Sequence, residues 1–380
     1  MKIDPYNHKE KYKAWRERVS GGIHGLSKQN SDLILAYLAD MERGANIAAG
    51  SVKGSRSYNR LNCLRDKMHF FANQFYNKFE INSIIEISED QLINFFSDMK
   101  SGVTKRADGK EYASVDTYAR VFKAFWHWHQ KVNRKKGIEI KDITTDLDTK
   151  QEKPRWVYLT EEQVRQIAET ARFDYKVLIY FLFDTGIRAP TELINVRVSD
   201  LFNDFKELNI REEASKTFGR RIKLMICTEL LKEYVKTKRL QSSDQLFDIS
   251  YSSANRYLKR LATKVFGDNL SPAGDRYSNI TMYDFRHISC CYWLPRYKSE
   301  SALKYRFGWK KSDKIHYYSE LLGMKDTIAE EDLFVDTTKT ELEKRLERSE
   351  KEKELLNEKM NTMEMQMVKI MELVKQLKNA

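Results

Sequence analysis

Apolar residues in this chain recur every three or four positions over most of its length, the spacing of helices with one buried face. They alternate with polar ones only in one short stretch near the middle. Residues 1–27 are polar, with Gly21, Gly22 and Gly25 near their end, and read as a loose arm or a short helix. From Ser31, SDLILAYLADMERG carries leucines at helical spacing and stops at Gly44. Three more helical segments follow. They cover 54–79, then 88–101 opened by a capping box from Ser88 to Gln91, then 113–133 with Tyr118, Val121, Phe122, Phe125 and Trp126 as the apolar face. Residues 28–136 therefore read as a small four-helix domain, its aromatics assigned to the core in preference to base-stacking platforms. Residues 137–158 mix Thr, Asp, Lys and a proline without period and read as a linker.

A second domain is expected over 159–334. A capping box from Thr160 to Gln163 opens one helix, and a second runs over 174–183 and ends at Thr185-Gly186. FKELNIRE and RRIKLMI are two strands flanking SKTFG, a hairpin with glycine at its turn. Helices follow at 228–237 and 252–265, then one from Thr281 that stops before Pro295, one between Ser299 and Gly308, and one that ends near Gly323. The fold class is mainly α with a small β-hairpin, α+β.

The tail, 335–380, is a separate object. Leu342, Leu346, Leu356, Met360, Met363, Met367, Ile370, Val374 and Leu377 fall at heptad positions, interrupted by Ser349 and Lys353. An amphipathic helix with no core of its own pairs with another helix, most simply its copy on a second protomer; the alternative is a single helix packed back on the body.

Charge sharpens the picture. The net charge is +12, and residues 1–140 hold 24 Lys/Arg against 16 Asp/Glu, so the excess sits mostly at the N-terminal end of the body. A basic body fits a polyanion, whose neutralised phosphates release counterions. Lys53, Arg56, Arg60, Lys105 and Arg106 are the candidate phosphate contacts. Cys63, Cys227, Cys290 and Cys291 show neither a metal-binding pair nor the density of a secreted scaffold, and the adjacent Cys290 and Cys291 read as packing residues. His127 and His129, two apart on a helix, do not share a face and make poor zinc ligands. With no apolar leader and no long apolar run, the expectation is a cytoplasmic, nucleoid-associated protein with no membrane span.

The candidate chemistry lies in five short stretches: Arg188 in TGIRAPTEL, Lys216 in SKTFGRR, Arg286 in MYDFRH, Trp309 in FGW and Tyr318 in IHYYSEL. Guanidinium forks suit the non-bridging oxygens of a phosphodiester. A tyrosine hydroxyl can attack the phosphorus and hold it as a phosphotyrosine that a DNA hydroxyl later reverses. No metal or nucleotide cofactor is needed for such chemistry.

In this order and spacing the residues resemble the tyrosine recombinase, or phage integrase, family over about 30–330, with an archaeal flavour in the tail and the RAPTEL box. The resemblance implies a helical SAM-like core-binding domain and a catalytic domain that clamp duplex DNA, with protomers working as dimers and tetramers. It also implies the set Arg188, Lys216, Tyr283, Arg286, Trp309 and Tyr318. Arg188 and Arg286 hold the phosphate, Trp309 and Tyr283 add donors, Lys216 protonates the departing 5′ oxygen, and Tyr318 attacks. The sequence departs from the pattern in three places. Tyr283 stands where the family has His in His-x-x-Arg; one extra residue separates Arg188 from Glu192 in a box where TG-x-R precedes a helix; and Tyr317 adjoins Tyr318 as a fallback nucleophile. His287, rotated about 100 degrees from Arg286 on a helix, reads as a structural or supporting residue. Two other functions stay open: a DNA-binding protein with this fold but no cleavage, and a type IB topoisomerase.

Overall fold

Several helix starts in this chain are set by short polar caps. The computed structural model describes residues 3–48, 50–150, 155–297 and 299–322, and tail positions 349, 350, 353, 360, 363 and 367. It divides into two compact units, Met1–Tyr318 and Ser319–Ala380. The first opens with α1 (His8–Arg18), α2 (Lys28–Arg43), α3 (Tyr58–Phe79), α4 (Glu89–Lys100) and α5 (Val115–Arg134). Ser27, Ser57 and Ser88 cap α2, α3 and α4 by accepting a backbone N–H three residues on, and Gln91 completes the box at α4. α2 stops at Gly44 in the left-handed region.

The apolar stripes of these helices meet in one aromatic core. Phe71 packs edge-on to Phe122 at 5.1 Å, Phe75 to Phe95 at 5.2 Å, and Tyr37 to Phe125 at 5.3 Å. α1 lies against α3. Ahead of it, the Ile3 backbone exchanges two hydrogen bonds with the Asn195 side chain, at 2.7 and 2.9 Å. Cys290 and Cys291 are buried, whereas His127 pairs with Asp142 at 3.1 Å and His129 lies against Asn133.

The rest of the body comprises α6 (Glu161–Thr170), α7 (Phe173–Thr185), β1 (Leu201–Phe202), β2 (Glu207–Ile210), β3 (Arg220–Lys223), α8 (Thr228–Lys238), α9 (Tyr251–Phe266), α10 (Asp284–Trp293), α11 (Glu300–Phe307) and α12 (Asp313–Leu321). The strands form one antiparallel sheet in the order β1-β2-β3, with Leu208 opposite Ile222. α7 is apolar nearly all round and buried, and packs against α6, α8 and α10. At its C-terminus the buried Asp184 accepts backbone N–H bonds from Met225, Ile226 and Cys227 at 2.9, 2.7 and 3.2 Å, and a side-chain bond from Arg306 Nη2 of α11 at 2.9 Å. One carboxylate thus ties the end of the sheet and α11 to the helix that precedes Arg188.

One expectation is corrected. The stretch after Arg188 is a turn leading into a 3₁₀ helix of three residues, Leu193–Asn195, where the resemblance implied a helix. Pro190 has no N–H to give, and the Glu192 carboxylate turns back to accept the Arg188 backbone N–H at 3.1 Å. In the tail, positions 349, 350, 353, 360, 363 and 367 are helical, and Met360, Met363 and Met367 are exposed by 57%, 63% and 62%. The heptad positions Leu342, Leu346, Leu356, Ile370, Val374 and Leu377 lie outside the described residues. Among the described residues no helix is long and apolar enough to cross a membrane.

Candidate active site

The C-cap of α7, the turn after α11 and the start of α10 meet around two arginines. Gly186, in the left-handed region, turns the chain so that its carbonyl accepts from Arg286 Nη1 at 2.6 Å. Arg286 Nη2 donates to the Phe307 carbonyl. Arg188 Nη2 donates to the next carbonyl, Gly308, at 2.8 Å, and its Nη1 pairs with Glu192 at 2.6 Å. Both guanidiniums are therefore anchored on the two residues before Trp309. Arg286 is 4% exposed, and its pKa is pushed down to about 10 by burial and then by the charge of Arg188. Two neighbouring guanidiniums held out of bulk water can bind an anion.

Glu192 anchors this corner. Its buried carboxylate also accepts from Arg220 Nη2 at 2.8 Å and from Ser215 Oγ at 3.3 Å. Burial alone pushes its pKa up, but the hydrogen bond and charge of Arg220, then Arg188 and Arg286, outweigh that and hold it at about 2. Arg220 alternates inward on β3 and donates from Nε to the Arg306 carbonyl at 2.9 Å.

Trp309 stacks between Phe307 at 5.0 Å and Tyr318 at 5.9 Å. Tyr318, on α12, is 2% exposed, and burial pushes its pKa well above the ordinary phenol value. Its hydroxyl hydrogen-bonds to His287 Nδ1. The adjacent Tyr317 hydroxyl instead accepts from the indole N–H of Trp156 at 2.7 Å, and the Trp156 ring lies 4.8 Å from the His287 ring. Trp156 is set in place by its neighbours: Val157 N–H donates to Asp284 at 3.1 Å, and Ser271 Oγ donates to the Trp156 carbonyl at 3.2 Å.

Arg188, Arg286, Trp309 and Tyr318 are thus brought together. Lys216 is exposed on the β2–β3 loop, and that loop is fastened to the same corner because Thr217 Oγ1 donates to the Gly308 carbonyl at 2.8 Å. Tyr283 is 47% exposed and touches the group through His287, edge-on at 5.3 Å. The candidate phosphate contacts lie apart, on the helical part of the body. Lys53 and Arg56 donate to the Ala48 and Val52 carbonyls at 2.9 and 2.7 Å, Arg106 pairs with Asp108 at 3.2 Å, and Lys105 is exposed. Arg60 lies four residues beyond Arg56, on the first turn of α3.

The sequence alone does not single out Trp156 or Arg220, and it reads His287 as a structural or supporting residue. A signal for Trp156 existed: a bulky apolar Trp-Val pair sits just ahead of a helix cap, within a stretch otherwise without period. For Arg220 the signal was strand alternation, which sends it to the same face as Ile222.

The helical body and its three-stranded sheet define a class: the fold is that of the tyrosine recombinases and integrases. A lambda integrase dimer bound to a COC′ core site matches with a TM-score of 0.55 at 13% identity, over 77% of this chain and 96% of that one. The Tn1549 transposon integrase in complex with transposon right end DNA matches with a TM-score of 0.53 at 15% identity, over 76% and 93%. In sequence, the chain is 37% identical over 117 residues to the tyrosine recombinase XerA of Saccharolobus solfataricus, which is 30% of this chain. The chain spans 38% of the length of that curated relative. The resemblance read from the sequence thus holds in fold over about three quarters of the chain and in sequence over those 117 residues. No protein-family model matches.

Proposed function

We propose that this chain is a site-specific recombinase that cleaves and rejoins duplex DNA through a 3′-phosphotyrosine, as in integration or excision of a mobile element. The observation that carries the reading is the corner in which Arg188 and Arg286 are fixed on the Phe307 and Gly308 carbonyls while Trp309, the next residue, stacks on Tyr318. An arginine pair preorganised by backbone carbonyls neutralises the charge that grows on the non-bridging oxygens. Tyr318 forms the new O–P bond, the P–O bond to the 5′ carbon's oxygen breaks, and Lys216 gives that oxygen a proton. The freed 5′ hydroxyl of a partner strand reverses the step and completes exchange. The Trp309 indole N–H and the Tyr283 hydroxyl are further donors for the phosphate.

The helical part over 28–136 covers one side of the duplex, with Lys53, Arg56, Arg60, Lys105 and Arg106 on phosphates. The catalytic part over 159–334 covers the other, and 137–158 joins them. Protomers assemble as dimers and tetramers on DNA, where the nucleoid supplies the substrate. The tail adds a contact between copies: Met360, Met363 and Met367 recur at spacings of three and four on a helix that leaves them exposed.

The test uses nicked duplexes tiled from DNA flanking the gene, with wild type, Tyr318→Phe and Tyr317→Phe compared on a denaturing gel. The expected result is a covalent adduct lost only in Tyr318→Phe. Tight binding without an adduct favours a DNA-binding protein that does not cleave. Loss only in Tyr317→Phe moves the nucleophile by one residue.

A further inference from the structure

We infer that His287 is the proton acceptor for the Tyr318 hydroxyl, so that in this chain the base for the nucleophile stands one residue after Arg286. The inference rests on the strand-cleavage reading above and deepens it. Position and chemistry both carry it. Asp284, Arg286 and His287 share the first turn of α10, where one helical step rotates side chains by about 100 degrees. Arg286 therefore faces the Gly186 and Phe307 carbonyls, while His287 faces α12 and meets the Tyr318 hydroxyl through Nδ1.

The ring is held in that direction. Trp156 lies over it at 4.8 Å, Tyr283 meets it edge-on at 5.3 Å, and Tyr318 lies at 5.7 Å. The titratable and charged groups around this contact are Tyr283, Arg286, Cys290 and Cys291 from α10, Tyr317 and Tyr318 from α12, and Tyr158 beside Trp156. Tyr283 occupies the position where the resemblance implies an imidazole, and a phenol is a poor proton acceptor near neutral pH. His287 supplies an imidazole close by. Burial of Tyr318 disfavours free phenolate, which makes transfer along an existing hydrogen bond the accessible route.

With the ring neutral and its own proton on Nε2, Nδ1 takes the Tyr318 proton as the phenol oxygen bonds to phosphorus. The ring leaves the step as imidazolium. The P–O5′ bond breaks, and Lys216 protonates the departing oxygen and becomes neutral. In the reverse step both protons return. Trp156 acts as a positioning residue: its indole N–H engages the Tyr317 hydroxyl at 2.7 Å while its ring packs on His287, whose Nδ1 bonds the Tyr318 hydroxyl.

The experiment measures single-turnover adduct formation on a nicked duplex against pH, for wild type, His287→Asn and His287→Ala. Asn offers an amide oxygen that accepts the hydrogen bond but cannot take the proton, so it separates positioning from proton transfer. Wild type is expected to lose rate as the imidazole is protonated, and His287→Asn to be slower by roughly 10²- to 10⁴-fold with a rate that climbs with pH and no imidazole limb. Added imidazole is expected to restore part of the rate in His287→Ala. Unchanged rate and pH profile in His287→Asn overturn the inference while leaving the recombinase reading intact. Absence of any wild-type adduct overturns the recombinase reading instead. A readout independent of activity is the ¹⁵N spectrum of the seven histidines, with His287→Asn assigning the signal. The Nε2–H tautomer and a shifted titration in Tyr318→Phe are expected; an Nδ1–H tautomer insensitive to Tyr318→Phe overturns the hydrogen bond on which the inference stands.

Discussion

Glu192→Gln is the most informative single change outside the reacting groups. It keeps the shape of the side chain and removes one charge from a carboxylate that is buried and faces Arg188 at 2.6 Å and Arg220 at 2.8 Å. In the folded chain its pKa falls from 4.5 to about 2. A depressed carboxylate pKa contributes stability that is fully present above the unfolded value and is lost as pH falls through the folded one. At ~1.4 kcal/mol per pH unit, the shift corresponds to about 3 kcal/mol at neutral pH. That agrees with the ~3–5 kcal/mol typical of removing one partner from a buried ion pair. For a body of this size the loss translates into a melting temperature lower by roughly 5–10 °C.

The assay is thermal or urea unfolding of wild type and Glu192→Gln side by side from pH 7 down to pH 2. The gap between the two proteins is expected to be widest at neutral pH, to narrow once the pH drops below about 4.5, and to close near pH 2, because protonated glutamic acid and glutamine are then nearly equivalent. Other carboxylates titrate in both proteins and cancel in the difference. A gap of less than a degree at pH 7, or one that does not change with pH, would refute the reasoning that this carboxylate anchors the arginine corner as an ion.

Gly186→Ala is expected to destabilise the body by ~1–3 kcal/mol in urea unfolding, because its φ is +56° and a Cβ would lie 2.2 Å from Phe307 Cε1 and 2.9 Å from Ser289 Oγ. Since the Gly186 carbonyl holds Arg286, adduct formation should fall as well, by more than the unfolded fraction accounts for. Arg60→Ala and Lys105→Ala are each expected to weaken duplex binding about equally for all sequences and to lower the slope of log affinity against log salt by about 1, measured by fluorescence anisotropy. An unchanged slope removes that residue from the phosphate contacts.

Elements with local signals were legible in the sequence. The Ser88–Gln91 and Thr160–Gln163 capping boxes, the glycine stops at Gly44, Gly186 and Gly308, and the β2–β3 hairpin follow from residues within a few positions of one another. β1 has two residues and no period to read; it exists because Leu201 finds Leu208. The turn after Arg188 departs from the expected helix for a related reason. Its conformation is set by contacts of Glu192 with Arg220, 28 residues on, and with Arg188, and neither contact leaves a periodic trace.

The candidate site divides along the same line. The order of Arg188, Lys216, Arg286, Trp309 and Tyr318 is a one-dimensional signal, whereas the contacts among them are not. The Trp156–Tyr317 hydrogen bond spans 161 residues, and the Arg188–Gly308 bond spans 120. His287 shows the difference most sharply. The helical step that separates it from Arg286 makes it read as a supporting residue, and the same step is what aims it at α12. A rotation of about 100 degrees says only that two neighbours serve different partners. Which partner each one meets depends on α12 returning to α10 after the turn at Gly308. Two adjacent side chains on α10 therefore serve different partners, Arg286 the Gly186 and Phe307 carbonyls and His287 the Tyr318 hydroxyl, and the identity of the second depends on tertiary packing.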